Sequence, residues 1–236
     1  RCGKLFSTQW ATKPEDSKLP RGAVVSERFE LARNFCNKLW NASRFTLLNL
    51  EGYSAVPVDD EELAIEDHWI LSRLATVTAQ ATEGLSAYRY AEVSRALYDF
   101  AWDDFCSFYV EMIKRRLQDS QQCKVAQRVL AYTLDNLLRL LHPLVPFITE
   151  EVWQLLGQAA PERGLGSPEN ATESIMIAPW PQADMQRQDS QIEARFAQYQ
   201  TAMSALREIR SRHNIASKDT IEFVVRCDEP TAQLLR

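Results

Sequence analysis

Apolar positions recur at helical spacing along most of the chain. From Ser26 to about Leu50 they fall three and four residues apart. This predicts a first helix with Ser26 as N-cap, Glu27 in its first turn and Gly52 ending it. A second helix is expected from Asp60 or Glu61 to Ala81, burying Leu63, Trp69, Ile70, Leu74 and Val77, with Gly84 as its breaker. A third and longest spans about Ala87 to Leu117 and carries Lys114, Arg115 and Arg116 in its last turn. A fourth covers Cys123 to Leu141. Pro143 and Pro146 then make a stiff corner, because a proline drives its predecessor out of helical geometry. Residues 147–156 read as a short helix.

Gly157 to about Ser174 is rich in glycine and proline and reads as a mobile loop. Ile175 to Pro181 is short, apolar and extended, suited to packing along a bundle. A last helix over 189–213 precedes Thr220 to Cys227, which alternates like a strand. One strand cannot stand alone, so the chain is expected to enter a further small unit there. The expected fold is mainly α, an up-and-down helical bundle with a small C-terminal helix–strand appendage. Residues 1–25 read as the tail of an upstream insertion or linker, 26–186 as the bundle, and 187–236 as the start of a truncated α/β unit.

Composition narrows the function. Seven glycines in 236 residues are under half of the usual ~7%. That scarcity disfavours a β-sandwich, a Rossmann unit or a glycine-cradled phosphate loop. A net charge of −5 provides no global positive field, so any contact with RNA must come from a local patch. The five cysteines are scattered without a C-x-x-C pair, which reads as reduced thiols in a cytoplasmic protein. No apolar run approaches the ~18 residues of a membrane span, so no membrane is expected as partner. The opening Arg1-Cys2-Gly3-Lys4 has neither a signal core nor an initiator methionine, and a piece of a longer chain is expected.

Catalytic patterns do not emerge. His68, His142 and His213 have no second histidine or cysteine at metal-ligand spacing, and no metal is expected. No G-x-S-x-G, Walker or G-x-G-x-x-G motif occurs. Asp103-Asp104 and Glu150-Glu151 are adjacent on helices and point in different directions, which suits no acid–base pair. No catalytic residue is assigned.

The first helix is more informative. At about 100° per residue, Phe29, Ala32, Phe35, Cys36, Leu39, Trp40, Leu47 and Leu50 share one arc of roughly 140°, the expected bundle side. Arg33, Asn34, Asn37, Lys38, Asn41, Arg44 and Phe45 share an opposite arc, with Glu30 as the only carboxylate. A solvated face usually mixes Glu with Lys, and asparagine is a poor helix former. Amides can read base edges, guanidinium groups hold phosphates, and an aromatic ring stacks on an unpaired base. The same face also suits docking to an adjoining domain, or plain solvent. Lys114, Arg115 and Arg116 are explained by the helix dipole as well as by phosphate. The group Arg207, Arg210, Arg212, His213 and Lys218 is open between the same readings.

The run from Arg33 to Phe45, R-N-F-C-N-K-L-W-N-A-S-R-F, closely resembles the start of the anticodon-binding domain of valyl-tRNA synthetases. D-H-W-I-L-S-R at Asp67–Arg73, Y-D-F-A-W-D-D-F-C at Tyr98–Cys106 and H-P-L-V-P-F-I-T-E-E-V-W at His142–Trp153 agree in order. So do Pro179-Trp180-Pro181 and Arg207-Glu208-Ile209-Arg210, and the likeness covers about Ser26 to Arg226. The sequence departs from that pattern at Ser107 and Phe108, where many relatives carry aspartate and tryptophan. The resemblance implies a helical bundle that receives the anticodon stem and loop of the valine tRNA. Asn34, Lys38, Asn41, Arg44 and Phe45 are the implied contacts, with Phe45 stacking. It implies a full-length enzyme that uses ATP with magnesium to join valine to that tRNA, likewise a monomer. The catalytic domain of the same polypeptide would be a second partner. Signatures of H-x-G-H and K-M-S-K-S type are not in this sequence, so this stretch should bind without catalysing and needs no cofactor of its own. The rival expectation is a structural helical domain that docks the catalytic body and does little anticodon reading.

Overall fold

A computed structural model describes residues 7, 13–20, 27–216, 219–222, 224 and 226. The chain divides into two compact units, Arg1–Lys38 and Leu39–Arg236, and the division falls inside the first long helix. In the first unit a short turn over Asp16–Lys18 is flanked by Ser7, whose amide donates to the Pro20 carbonyl at 3.0 Å and whose hydroxyl donates to that of Leu19 at 3.2 Å.

The helices are α1 (Glu27–Leu48), α2 (Ile65–Ser86), α3 (Tyr90–Asp99), α4 (Val110–Met112), α5 (Cys123–Leu141), α6 (Pro146–Ala159) and α7 (Ser190–Arg212). The expected N-cap Ser26 lies outside the described residues. Helix α5 has the approximate extent expected, since its apolar period is regular and the proline corner follows it. Pro146 opens α6, where its missing N–H costs nothing. The bundle is built around α2, against which α3, α5 and α7 all pack. Trp69, Ile70, Phe100, Phe105, Leu130 and Leu134 are fully buried there. Among the described residues no helix is long and apolar enough to cross a membrane.

Three expectations are corrected. Gly84 does not break α2; it is a buried position within it, and a Cβ there would lie 2.5 Å from Cγ2 of Val93 on α3. The glycine permits close approach of two helices, and α2 ends at Ser86, two residues before Tyr88 at φ 58°. The third helix does not run on to Leu117. Between α3 and α4 lies a π-helical stretch, Phe100–Tyr109, and the helix ends at Met112. Ser107 marks the wider turn by donating to the Trp102 carbonyl five residues back at 2.7 Å. Lys114 and Arg115 therefore lie past the helix, and Arg116 opens a separate turn, Arg116–Gln118.

The segment after α6, expected as a loop with no element of its own, is packed and carries a hairpin. Its strands β1 (Glu162–Arg163) and β2 (Glu169–Asn170) pair antiparallel, and Arg163 and Leu165 are buried. Arg128 on α5 donates to the carbonyls of Gly164 and Leu165, which pins the hairpin tip. Ile175–Ile177 forms one tight turn with Ile175 buried, and Trp180 Nε1 donates to Thr82 Oγ1 at 2.8 Å. Of the expected strand at 220–227, Thr220, Ile221, Glu222, Val224 and Arg226 are described and form no paired strand; the others lie outside the described residues.

Segments of the motif runs act as braces. Arg73 bridges Asp104 and Glu193 at 2.9 Å each, joining α2, the π stretch and α7. Glu193 also accepts from Ser72 at 2.6 Å and Thr76 at 2.8 Å, while Gln200 donates to Asp104 at 2.9 Å. Phe196 of α7 stacks on Trp69 with centroids 4.7 Å apart.

Two outcomes follow from this packing. Gly84→Ala gains about 1 kcal/mol of helix propensity but forces a methyl against stiff, buried Val93, an overpacking cost of about 1–3 kcal/mol. A net loss of about 1 kcal/mol in urea unfolding is expected, turning to a gain in a Val93→Ala background. The second concerns pH. Burial alone would raise the Glu193 carboxyl, but hydrogen bonds from Ser72, Arg73 and Thr76 outweigh it and hold it below the ordinary range. A carboxyl depressed on folding stabilises fully above its unfolded value, near the ordinary 4.5, and that stability is lost as pH falls through the lowered folded value. Melting curves below about pH 4.5 should thus fall more steeply for the native chain than for Glu193→Gln.

Candidate nucleic-acid interface

Helix α1 presents the candidate residues. Asn34 is exposed and Lys38 half-buried, both in the first unit. Asn41 and Arg44 are exposed and Phe45 half-buried, in the second. Within the second unit, Asn41, Arg44 and Phe45 stand three and four residues apart, so their side chains are neighbours on one helix face. Among the described residues, the side chains of Asn41 and Arg44 have no hydrogen-bond or ion-pair partner.

The buried stripe of α1 differs from the expected arc. Leu39, Ala42, Ser43, Thr46 and Leu50 are buried, whereas Phe29 is 67% and Trp40 40% exposed. Hydrophobicity misplaces the stripe because two of its members are small and polar. Thr46 returns its hydroxyl proton to the Ala42 carbonyl at 3.0 Å, which lets its methyl face the core cheaply. At the end of the helix, Gln127 of α5 donates to the carbonyls of Asn49 and Glu51 at 2.8 and 3.0 Å, and Asn49 Nδ2 donates to that of Phe45 at 2.8 Å.

Lys114, one of the three cations expected in a last helical turn, instead stands beside α1. Its ammonium stands 5.6 Å from the centroid of the Phe45 ring and is paired with Glu111 at 2.6 Å. The exposed Arg115 follows it. An amide, two guanidinium groups, an ammonium and an aromatic ring thus come from α1 and from the segment after α4. Both groups are visible in the sequence, but the placement of Lys114 over Phe45 is not, because that contact is tertiary.

Arg116 is not available to a phosphate. Its side chain is 10% exposed and lies 2.7 Å from Oδ2 of Asp67 and 3.0 Å from Glu66. Asp67 is fully buried and accepts further from the Tyr109 hydroxyl at 2.8 Å and the Ala64 amide at 3.0 Å. Burial, reinforced by the Asp67 carboxylate, pushes the Tyr109 phenol well above its ordinary range, so it stays a donor. The C-terminal cluster is also mostly engaged. Arg207 lies 4.9 Å over Phe108, Arg210 donates to the Ala216 carbonyl at 2.8 Å and to that of Asp219, and Arg212 pairs with Glu208. His213 is exposed, and Lys218 lies outside the described residues. Phe108, a point of departure from the family pattern, is buried and meets Tyr199 of α7 edge-on at 6.5 Å.

Removing Arg116 leaves the buried Asp67 carboxylate short of its counter-charge. Arg116→Met is expected to cost about 3–5 kcal/mol in urea unfolding, whereas Arg115→Ala should stay within about 0.5 kcal/mol. A cost below about 1 kcal/mol for Arg116→Met would mean that the ion pair organises nothing.

Comparison with known proteins agrees with this organisation. The family described as the anticodon-binding domain of tRNA ligase matches residues 67–225. A valine–tRNA ligase of Rhodopirellula baltica is 52% identical over 235 residues, covering 100% of this chain and 23% of that protein. One from Carboxydothermus hydrogenoformans is 39% identical over 211 residues, covering 89% and 23%, and one from Laribacter hongkongensis 40% over 195 residues, covering 80% and 20%. Among solved structures, a LeuRS–tRNA–LeuAMS ternary complex from Agrobacterium radiobacter is similar over 72% of this chain and 18% of its own, with 18% identity and a TM-score of 0.49. The chain spans about a fifth to a quarter of the length of the curated relatives it matches. On the strength of the match over residues 67–225, which takes in most of α2 and all of α3 to α7, the chain belongs to the anticodon-binding domain family of tRNA ligases.

Proposed function

We propose that this chain receives the anticodon stem and loop of a valine-accepting tRNA, as part of a cytoplasmic valine–tRNA ligase. The whole enzyme would use ATP with magnesium to activate valine and esterify it to that tRNA. This chain would contribute binding alone, with the catalytic domain of the same polypeptide as its other partner. The likeness to valine–tRNA ligases over its full length supports the amino acid and the reaction. The observation that carries RNA contact is the pair of unpartnered polar side chains, Asn41 and Arg44, beside Phe45 under the Lys114 ammonium.

Each group has a task. Arg44 and Lys114 suit backbone phosphates, Asn41 suits a base edge, and Phe45 offers part of a ring to an unstacked base. Asn34 and Lys38 are proposed as further contacts. With few phosphates neutralised and a net charge of −5, binding by this chain should be weak and its salt dependence shallow, about −0.7 to −0.9 in log–log slope per phosphate.

Fluorescence anisotropy with valine tRNA, beside the same tRNA with its anticodon bases replaced, tests the proposal. The native anticodon should bind more tightly. Phe45→Ala should weaken it by the ~1–3 kcal/mol of one base stack, roughly 5- to 150-fold. Arg44→Ala should weaken it too, while leaving stability within about 0.5 kcal/mol. Equal binding of both tRNAs would overturn base reading and favour a face that docks the catalytic body.

A further inference from the structure

Beneath the β1–β2 hairpin lies a cavity of about 90 Å³, bounded by α5, α6 and the Ala178-Pro179 segment. Its lining includes Tyr132, Asp135, Arg139, Trp153, Arg163 and Asn170. The Arg163 side chain is 3% exposed and lies 4.0 Å from the centroid of Trp153. Its Nε, Nη1 and Nη2 are all buried, and none makes a hydrogen bond. A buried guanidinium whose fork makes no hydrogen bond is rare and costly.

Charge around it is unbalanced. Asp135 is 3.3 Å from Arg163, but the same carboxylate also holds Arg139. Arg128, a third guanidinium of this layer, is spent on the Tyr53 hydroxyl at 2.6 Å and on the carbonyls of Gly164 and Leu165. Arg163 and Arg139 therefore share one buried carboxylate, since Glu169 at the rim is exposed and screened by solvent.

From this cluster we infer that the cavity is a binding site for a small oxyanion of the phosphate class, seated on Arg163. The fork of Arg163 suits a group that is negative and accepts several hydrogen bonds at fixed spacing. A tetrahedral oxyanion supplies both, and the guanidinium fork matches its oxygens two at a time. Water would satisfy single donors but bring no charge. The volume sets the size class: about 90 Å³ exceeds what one water needs and is far below the 300 Å³ at which ligand pockets for larger molecules begin. Burial pulls the Arg163 guanidinium down from its ordinary value; Asp135 opposes this, and nearby Arg139 adds to it. An anion in the cavity would oppose that fall. The site is independent of the RNA reading, since it uses none of the α1 side chains.

Inorganic phosphate is the probe, titrated into the chain at constant ionic strength with chloride as control. Saturable one-to-one binding by calorimetry is expected, with shifts of the Arg163 Nε–H resonance and the Trp153 indole N–H resonance. The midpoint of thermal unfolding should rise with phosphate concentration beyond the chloride control. Arg163→Lys keeps the charge but loses the fork, and should bind at least about tenfold more weakly. Because the native titration stands alone, instability of that variant leaves the test intact. A short RNA hairpin that displaces phosphate would assign the site to a nucleic-acid phosphodiester; failure to displace it would assign free oxyanions. No heat, no resonance shift and no thermal gain over chloride would overturn the inference and leave a water-filled cavity.

Discussion

A single buried carboxylate organises the part of the molecule that matters most for its proposed work. Asp67 has no solvent exposure, yet three donors from separate parts of the chain converge on it: the Ala64 amide, the Tyr109 hydroxyl and the Arg116 guanidinium. The first caps the start of α2, the second ties in the end of the π stretch, and the third anchors the chain just past α4. Lys114 stands two residues before that anchor. Its position over Phe45 therefore depends on where Arg116 is held, and the proposed RNA face would inherit its geometry from a node that never touches solvent.

The same logic explains why the bundle carries so many internal ion pairs. α2 meets partners on several sides, and its polar residues Asp67, Ser72, Arg73 and Thr76 point at them, not at water. Pairs of this kind add little net stability compared with apolar contacts of equal volume, but breaking one is expensive. They fix which face of each neighbour meets α2. For the proposed role of presenting side chains to a shaped RNA, that fixing would matter more than extra stability.

The sequence made some of this legible and hid the rest, for physical reasons. The bounds of α5 could be read directly because its apolar stripe is unbroken and prolines follow. Asn41, Arg44 and Phe45 could be grouped because helical geometry alone makes them neighbours. Gly84 misled, since inside a helix a missing Cβ serves packing as readily as it ends a turn. The π stretch was invisible, because its five-residue hydrogen bonding leaves no mark in a pattern judged at 3.6. Arg116 and Lys114 read alike, as neighbouring cations; only distant Asp67 and Phe45 separate their fates. Arg163 gave no signal at all within a glycine- and proline-rich segment.

Hydrogen exchange of the chain, with and without valine tRNA, addresses the central claim most directly. If the Asp67 node positions an RNA-binding face, tRNA should slow exchange in two places together: residues 41–48 of α1 and residues 113–118. The Arg163 hairpin and the exposed side of α7 should exchange as before. Protection confined to the hairpin or α7, with 41–48 and 113–118 unchanged, would contradict the claim that this face receives the RNA.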